Sequence, residues 1–489
     1  SQSQGQAGSE KGRQAEGESQ GQTQGQGPGQ EAETLKPPPA TAPLLPAAYH
    51  LWTIGCQMNE ADALRAAALL ESAGLRPVAH ADDASFLLLN TCVVRQQAED
   101  KALGRLRHVA ELKRRNPELV VVLMGCLVGR ISREQDALRE RFPFVDLFLP
   151  PSDLRPLQQF LRGRGVPVPD DMTHDDFLPP PLPDSQTGRS IVAHVPVVLG
   201  CSHACSYCVI PYRRGGERSR PSADILAEVE ALASRGVREI ILLGQIVDRY
   251  GLDRPGEIRL PELLRRTARV PGIARVRFLT SHPRWITPEL IAAVAGTPGL
   301  CPYFEVPVQA GSDAVLAAMR RGYTVAEYEA LVGRIRTAIP GTGLSTDIIV
   351  GFPGETAAQF EDTAALMDRL DPDMIRIAKY SPRPLTWSAR HLPDDVPEAE
   401  KERRRLALEA ALRERLTRKH APLAGHLVEI LVETLEKNGR RYGRTPDYKP
   451  VFVEGSDAAP GDLLQVRLTW AGPFSFIAEP AGRFRRPPH

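Results

Sequence analysis

The stretch Cys201-Ser-His-Ala-Cys205-Ser-Tyr-Cys208 sets three cysteines at a C-x3-C-x2-C spacing on one short loop. A strand-like run from Ile191 to Leu199 leads into it, and Gly200 frees the backbone to turn. Three thiolates on one loop can hold three irons of a cubane [4Fe–4S] cluster. The fourth iron is then without a protein ligand, an open position for a substrate or cofactor. A structural zinc loop is the alternative. Zinc sites usually add a second C-x2-C pair further along, and none follows here, although His203 can supply a fourth ligand.

Upstream, residues 47–162 alternate strands and helices. Tyr49–Ile54, Ser85–Leu89 and Leu119–Met124 read as strands, with an Ala- and Leu-rich helix over Ala63–Ser72 capped by Asn59 and ended by Gly74. Ser132 with Gln135 reads as a capping box for a later helix. Continuous apolar strands between helices predict a buried parallel sheet, a Rossmann-like α/β domain. Cys56, Cys92 and Cys126 each stand just past a strand's C-terminal end. Parallel strands bring those ends to one sheet edge, where open α/β folds bind ligands. Three thiols far apart in sequence therefore converge, as a second three-ligand iron–sulfur site requires; zinc and ordinary buried thiols are the alternatives.

Residues 163–188 are rich in Pro, Asp and Gly and read as a linker. Strand–helix alternation resumes over 189–419. Six strand runs, Ile191–Val198, Arg238–Leu243, Arg275–Leu279, Tyr303–Val306, Gly343–Val350 and Met374–Ala378, predict a partial (βα)6 barrel of the TIM type with its chemistry at the C-terminal strand ends. Short alternating runs over 420–485 predict a small antiparallel β-barrel of a kind that binds oligonucleotides. There, Arg440, Arg441, Arg444 and Lys449 with Tyr442 and Tyr448 combine basic and aromatic groups. Arg213, Arg214, Arg218 and Arg220 cluster after the cysteine loop, suited to phosphates or to ion pairs.

Residues 1–46 are Gln, Gly, Ser, Glu and Pro with almost no apolar side chains, a composition expected to stay disordered. The formal net charge of +1 does not announce a nucleic-acid binder, and no apolar run is long enough to span a membrane. Seven cysteines without export features point to reduced thiols in the cytoplasm. The seventh, Cys301, has no evident partner and reads as structural.

The cysteine loop resembles that of the radical S-adenosylmethionine (SAM) enzymes, and the order of the whole chain over about 48–482 resembles the methylthiotransferases. The segments that carry it include Ile54-Gly-Cys-Gln-Met-Asn-Glu60, Asn90-Thr-Cys-Val-Val-Arg95, Ile210-Pro-Tyr-Arg-Arg-Gly-Gly-Glu217, Thr280-Ser-His-Pro283, Val306-Pro-Val-Gln-Ala-Gly-Ser312, Arg321-Gly-Tyr-Thr324 and Tyr380-Ser-Pro-Arg-Pro384. The match is strongest to the branch that makes 2-methylthio-N6-dimethylallyladenosine at position 37 of tRNA, beside the anticodon. Four positions depart from its usual pattern: Ile246, Asp248, Ala310 and Leu385.

The resemblance implies a sulfur-group transferase with a TRAM-type C-terminal barrel, two [4Fe–4S] clusters and two SAM per reaction. One SAM is the methyl donor and the other the radical source. Cys201, Cys205 and Cys208 would hold the SAM-cleaving cluster, and Cys56, Cys92 and Cys126 the auxiliary one. For SAM, the residue pattern offers Tyr207 beside the adenine, Gly244 and Gln245 for the amine, Gln309 and Ser312 for ribose or carboxylate, and Gly351 and Phe352 for close backbone approach. His282 stands in a loop at a strand end. The expected partners are the tRNA anticodon stem-loop and a flavodoxin or ferredoxin as electron donor, with the enzyme a monomer. The same chemistry on another nucleoside or on a ribosomal-protein aspartate, and a non-catalytic zinc-bearing RNA-binding protein, are the competing readings.

Overall fold

The computed structural model describes residues 48–94, 96–168 and 182–483. The tail 1–46 and the middle of the expected linker lie outside them. The described residues belong to one compact unit.

The first domain runs β1 (Ala48–Thr53), α1 (Gln57–Ser72), β2 (Arg76–Pro77), β3 (Phe86–Thr91), α2 (Gln96–Arg115), β4 (Val120–Gly125), α3 (Ser132–Arg141), β5 (Leu147–Leu149) and α4 (Arg155–Gly163). Its five strands lie in the order β2-β1-β3-β4-β5, all pairs parallel. The period-two rule sorts the core. Val120, Val122 and Met124 pack with Leu69 and Leu70 of α1 and Leu157 of α4. Val121 and Leu123 pack on the other face with Leu106 and Val109 of α2 and Leu138 of α3. Both faces are covered, so every residue of β3 and β4 is buried. Two local expectations fail. Asn59 lies inside α1 rather than capping it, because the helix begins at Gln57 with Cys56 at the cap. The Ser132–Gln135 box does not form: Ile131 takes the cap position of α3, and Gln135 Nε2 donates to Gly129 O at 2.9 Å.

The second domain runs β6 (Val192–Pro196), β7 (Val198–Leu199), α5 (Ile210–Arg214), β8 (Arg218–Ser219), α6 (Ser222–Ser234), β9 (Glu239–Leu243), α7 (Leu260–Ala268), β10 (Arg275–Leu279), α8 (Pro288–Gly296), β11 (Tyr303–Glu305), α9 (Asp313–Ala318), α10 (Val325–Ala338), β12 (Gly343–Val350), α11 (Ala357–Leu370), β13 (Met374–Lys379) and α12 (Trp387–His391). Two parallel sheets, β6-β9-β10 and β11-β12-β13, meet where Ser281 N donates to Glu305 O at 3.2 Å. The result is six sequential parallel strands, an open half-barrel. Its β6 side faces α1, where Glu60 approaches His194 at 3.4 Å and Arg65 approaches Glu228 at 3.6 Å. Met58 of α1 enters the half-barrel among Leu199, Ile241, Leu243 and Leu279. An open edge is thereby closed by another domain's helix.

A long helix, α13 (Glu398–His420), leads to five strands, β14 (Leu427–Leu435), β15 (Arg441–Arg444), β16 (Pro450–Val453), β17 (Leu463–Ala471) and β18 (Phe476–Arg483), closed into a barrel in the order β14-β15-β16-β18-β17. The β16–β18 pair is parallel and the other pairs are antiparallel. Inward positions such as Ile430, Val432, Val451, Val453 and Val466 form its core. The loop between β15 and β16 enters the half-barrel from the N-terminal strand ends. Arg277 pairs with Glu239 at 2.6 Å and donates to Thr445 O at 2.8 Å, both side chains fully buried, and Tyr448 packs on Tyr303 at 4.7 Å.

That docking draws in part of the expected RNA face. Arg444 is held by Glu433 at 2.6 Å, Lys449 by Asp447 and Asp373, Arg441 by Ala458 O, and Arg440 by Glu454. Tyr448 packs half-buried against the half-barrel, and Arg277 and Arg444 lie over its ring. Arg444, Lys449 and Tyr448 help build the barrel and its seat, whereas the Arg440–Glu454 pair is solvent-exposed.

Removing one member of a buried ion pair strands the other. Arg277→Met is expected to lower stability by about 3–5 kcal/mol, and Arg277→Met/Glu239→Leu to recover most of it. Chemical denaturation of the three chains checks this; equal losses in both variants would show that Glu239 is not the group left unpaired.

Candidate active site at the meeting of two cysteine triads

At the first sheet edge, glycine permits the close approach of three strand ends. Gly55 has φ +142°, and a Cβ there would lie 2.8 Å from Cys92 Cβ; at Gly125, with φ +101°, it would lie 2.4 Å from Thr91 O. The cysteines that follow are Cys56, exposed, and Cys92 and Cys126, both buried. Asn59 ties the ends together: its Nδ2 donates to Thr91 O at 2.8 Å and Ile54 O at 3.2 Å, and its carbonyl accepts from Asn90 Nδ2 at 2.6 Å.

The second triad stands on the loop after β7. Gly200 has φ +67°, and a Cβ would meet Gly216 O at 2.1 Å. Cys201 is buried, and Cys205 and Cys208 are half-buried. The loop is pinned by Ser206, whose N donates to Met319 O at 3.0 Å and whose Oγ donates to Ala318 O at 2.8 Å. Polar hydrogens point at the sulfurs: His203 N lies 3.4 Å from Cys201 Sγ, Arg321 Nη1 lies 3.3 Å from Cys205 Sγ, and Val94 N lies 3.4 Å from Cys92 Sγ.

Burial pushes the thiols up, Cys201 to about 11 and Cys92 and Cys208 to about 12, with neighbouring cysteines adding to the rise. Cys126 is also raised, by burial first, against the pull of Arg214. Buried, mutually repelling thiols need a cation to become thiolates, and metal binding releases their protons. Thiols with N–H groups aimed at their sulfurs are the donor chemistry that an iron–sulfur cluster takes, although among the described residues the side chains do not themselves form a group of three or more that could hold a metal ion.

Arg214 joins the two triads. It closes α5, six residues past Cys208. Its side chain crosses into the first domain, where Nη1 meets Asp62 Oδ2 at 3.1 Å and Ser152 Oγ at 3.0 Å, and Nη2 meets Asn59 Oδ1 at 2.9 Å, beside Cys126. Its neighbour Arg213 pairs with Glu134 at 2.5 Å, and Arg220 with Glu228 at 2.6 Å. The arginine-rich segment therefore contains structural clamps, with Arg213 and Arg214 docking one domain on the other. Arg383 adds a third link, to Glu99 at 2.8 Å.

The residues expected around SAM divide. Gly244 and Gln245 follow β9 at the mouth, and a Cβ on Gly244 would press on Val247 Cα at 2.9 Å. Gln309 is held at φ +77° between Asp347 O and Ile349 N, and Ser312 starts α9. Tyr207 packs its ring against the barrel core. Gly351 and Phe352 serve packing. Gly351 N donates to Glu355 Oε2 at 2.5 Å and its Cα faces Lys401, where a Cβ would lie 2.3 Å from Cγ. Phe352 is fully buried, edge-on to Tyr380. Of the four departures, Ile246 packs on Cys201 and Ile210, Ala310 is fully buried, and Leu385 sits at φ +76°, a left-handed conformation that glycine adopts without strain.

Asp248 belongs to a group that no spacing announces. Its Oδ2 accepts from His282 N at 2.9 Å, and the His282 ring lies 4.5 Å from that of His203 in the cysteine loop. Burial holds His282 neutral, pushed down to about 2. Cys301 is buried beside Arg277, far from either triad in the fold, as a structural thiol.

Three family models match in series: "Uncharacterized protein family UPF0004" over 48–150, "Radical SAM superfamily" over 195–367 and "TRAM domain" over 423–480. A tRNA-2-methylthio-N(6)-dimethylallyladenosine synthase of Dehalococcoides mccartyi is 42% identical over 88% of this chain and 98% of its own length. One of Roseiflexus sp. is 44% identical, over 87% of this chain and 88% of its own. Among solved structures, the radical SAM methyltransferase TsrM of Kitasatospora setae shares the fold, with a TM-score of 0.52 and 18% identity over 71% of this chain and 77% of TsrM. A half-barrel with a cysteine triad on its first loop defines a radical SAM protein, with SAM and [4Fe–4S] chemistry. The chain belongs to the tRNA-2-methylthio-N(6)-dimethylallyladenosine synthase family and is a radical SAM tRNA methylthiotransferase. Among the described residues no helix is long and apolar enough to cross a membrane.

Burial raises Asp248 to about 7 from 3.8. The native chain then binds a proton that the unfolded chain has lost between about pH 4 and pH 7, so Asp248 lowers stability as pH rises through that window. Asp248→Asn lacks this slope. In the cluster-free chain its stability advantage over wild type should open from about pH 4 and level off above about pH 7, at a few kcal/mol. Denaturation across that range checks it; a gap independent of pH would refute it.

Proposed function

We propose that this chain adds a methylthio group to C2 of N6-dimethylallyladenosine at position 37 of tRNA, using two [4Fe–4S] clusters and two SAM. Cys201, Cys205 and Cys208 hold one cluster, and Cys56, Cys92 and Cys126 the other. The observation that carries the reading is Arg214: one buried side chain ties the loop of one triad to the residues that shape the other. The names and identities of the relatives support the substrate. When bound, the clusters and SAM supply the one-electron chemistry, the sulfur and the methyl group.

The chain's own part is placement. The Arg214–Asp62 pair and the Arg213–Glu134 pair dock the helix after the cysteine loop on the first domain. Met58 and Tyr448 fill the half-barrel from the first domain and the C-terminal barrel, which keeps water out beneath the mouth. Gly244, Gln245, Gln309, Ser312 and Tyr207 remain the candidates for holding SAM. Around the mouth, Arg130, Arg284 and Arg320 are exposed. Arg130 packs over Gly215 after the cysteine loop, Arg284 over Gly322, and Arg320 stacks on Trp387 at 4.1 Å. These cations suit the anionic backbone of the anticodon stem-loop. A flavodoxin or ferredoxin as electron donor, a monomeric state and a cytoplasmic location complete the proposal.

Anaerobic reconstitution should give about eight irons per chain, and about four in each triple cysteine-to-alanine variant. A wild type with about four irons, of which the Cys56/Cys92/Cys126 variant loses none, would sink the two-cluster reading. In nucleoside digests, the methylthio product should appear only from tRNA carrying the dimethylallyl group. Arg130→Glu and Arg284→Glu should each weaken tRNA binding and reduce the salt slope by about one. Unchanged slopes would move the tRNA to another face.

A further inference from the structure

Arg321 is a buried cation without a carboxylate. Its side chain is 5% exposed as a residue, and each guanidinium nitrogen has one partner: Nε donates to Tyr323 Oη at 3.0 Å, Nη2 to Pro307 O at 3.1 Å, and Nη1 to Cys205 Sγ at 3.3 Å. None of the ion pairs among the described residues includes it. Leaving a guanidinium buried without an anion is costly. The geometry is nonetheless well determined. Arg321 N donates to Leu316 O at 3.0 Å, left-handed Arg320 and Gly322 flank it, and Tyr323 Oη donates onward to Val308 O at 2.7 Å.

The other triad differs. Arg214 also sits beside a cysteine, but Asp62 stands 3.1 Å from it, with both side chains buried, and cancels its charge locally. The two sites therefore carry arginines of different net effect. At Cys205 the positive charge is left for whatever the sulfur binds.

We infer that Arg321 sets the reduction potential of the cluster held by Cys201, Cys205 and Cys208, acting as a positioning residue through its N–H···S bond to Cys205. This rests on the assignment of those three cysteines as cluster ligands. Net charge and hydrogen bonds to sulfur are the protein's means of tuning such potentials. Adding one electron from a low-potential reductant makes the cluster more negative. A fixed cation and an N–H donor at a ligand sulfur favour that state, so Arg321 raises the potential and makes the electron easier to deliver.

The test uses the full chain carrying Cys56→Ala, Cys92→Ala and Cys126→Ala, so that one cluster gives the signal. After anaerobic reconstitution with iron and sulfide, the cluster is poised with viologen mediators and its reduced form is read by electron paramagnetic resonance. At the parent midpoint, Arg321→Gln should lower the reduced-to-oxidised ratio about tenfold, a fall of about 59 mV for one electron. Arg321→Lys, which keeps the charge, should stay within about threefold. A Gln variant with the parent ratio overturns the inference. Should Arg321→Gln take up no iron, Arg321→Lys decides: iron regained with the charge supports the inference, and iron still absent overturns it. A parent chain that itself binds no cluster overturns both this inference and the ligand assignment beneath it.

Discussion

The buried pair between Arg214 and Asp62 is the contact on which the site depends. Both side chains are almost fully withdrawn from water, at 2% and 0% exposure. A pair so placed tolerates little displacement, because either charge alone would be stranded at high cost. Since Arg214 follows Cys208 by one short helix, fixing its side chain fixes the cysteine loop. Since Asn59 receives the same guanidinium and also bonds Ile54 and Thr91, the ends of β1 and β3 are fixed with it, and Cys126 N, donating to Thr91 O at 2.9 Å, adds the end of β4. One guanidinium thereby joins the helix after one cysteine triad to the strand ends that carry the other.

The half-barrel explains why three domains share one chain. The six parallel strands here do not close on themselves, and an open barrel leaves an edge and an unfilled interior. Here α1 lies along β6 and sends in Met58, while the C-terminal barrel sends in Tyr448 from the opposite end. The cation and aromatic groups that looked suited to RNA, Tyr448, Arg444 and Lys449, are drawn into that seat. Their composition was legible, but their direction was not. A basic residue beside an aromatic reads alike whether it faces a nucleic acid or a neighbouring domain.

The same ambiguity runs through the site. Gly351 was expected to let a cofactor come close and instead makes room for Lys401, while Gly55, Gly125 and Gly200 let backbone meet backbone or cysteine. A missing Cβ marks close approach without saying by what. Arg321 and Asp248 show the converse. Their importance lies in partners they lack or share, and neither was singled out for chemistry, because an unpaired buried charge exists only once the chain has folded around it.

Periodicity and spacing alone determined much. The alternation of apolar runs with helices specified a parallel sheet and a six-strand barrel, because side chains alternate with period two on strands and cover both faces when both are buried. The C-x3-C-x2-C spacing put three thiols on one loop, and strand-end positions put three more on one edge, since parallel strands share the direction of their ends. Tertiary structure decided which charges are cancelled, which faces are closed and how the two triads are aligned. Those depend on side chains far apart in sequence meeting in a low-dielectric interior, as Arg214 meets Asn59 across 155 residues and Arg383 meets Glu99 across 284. No local pattern encodes that encounter.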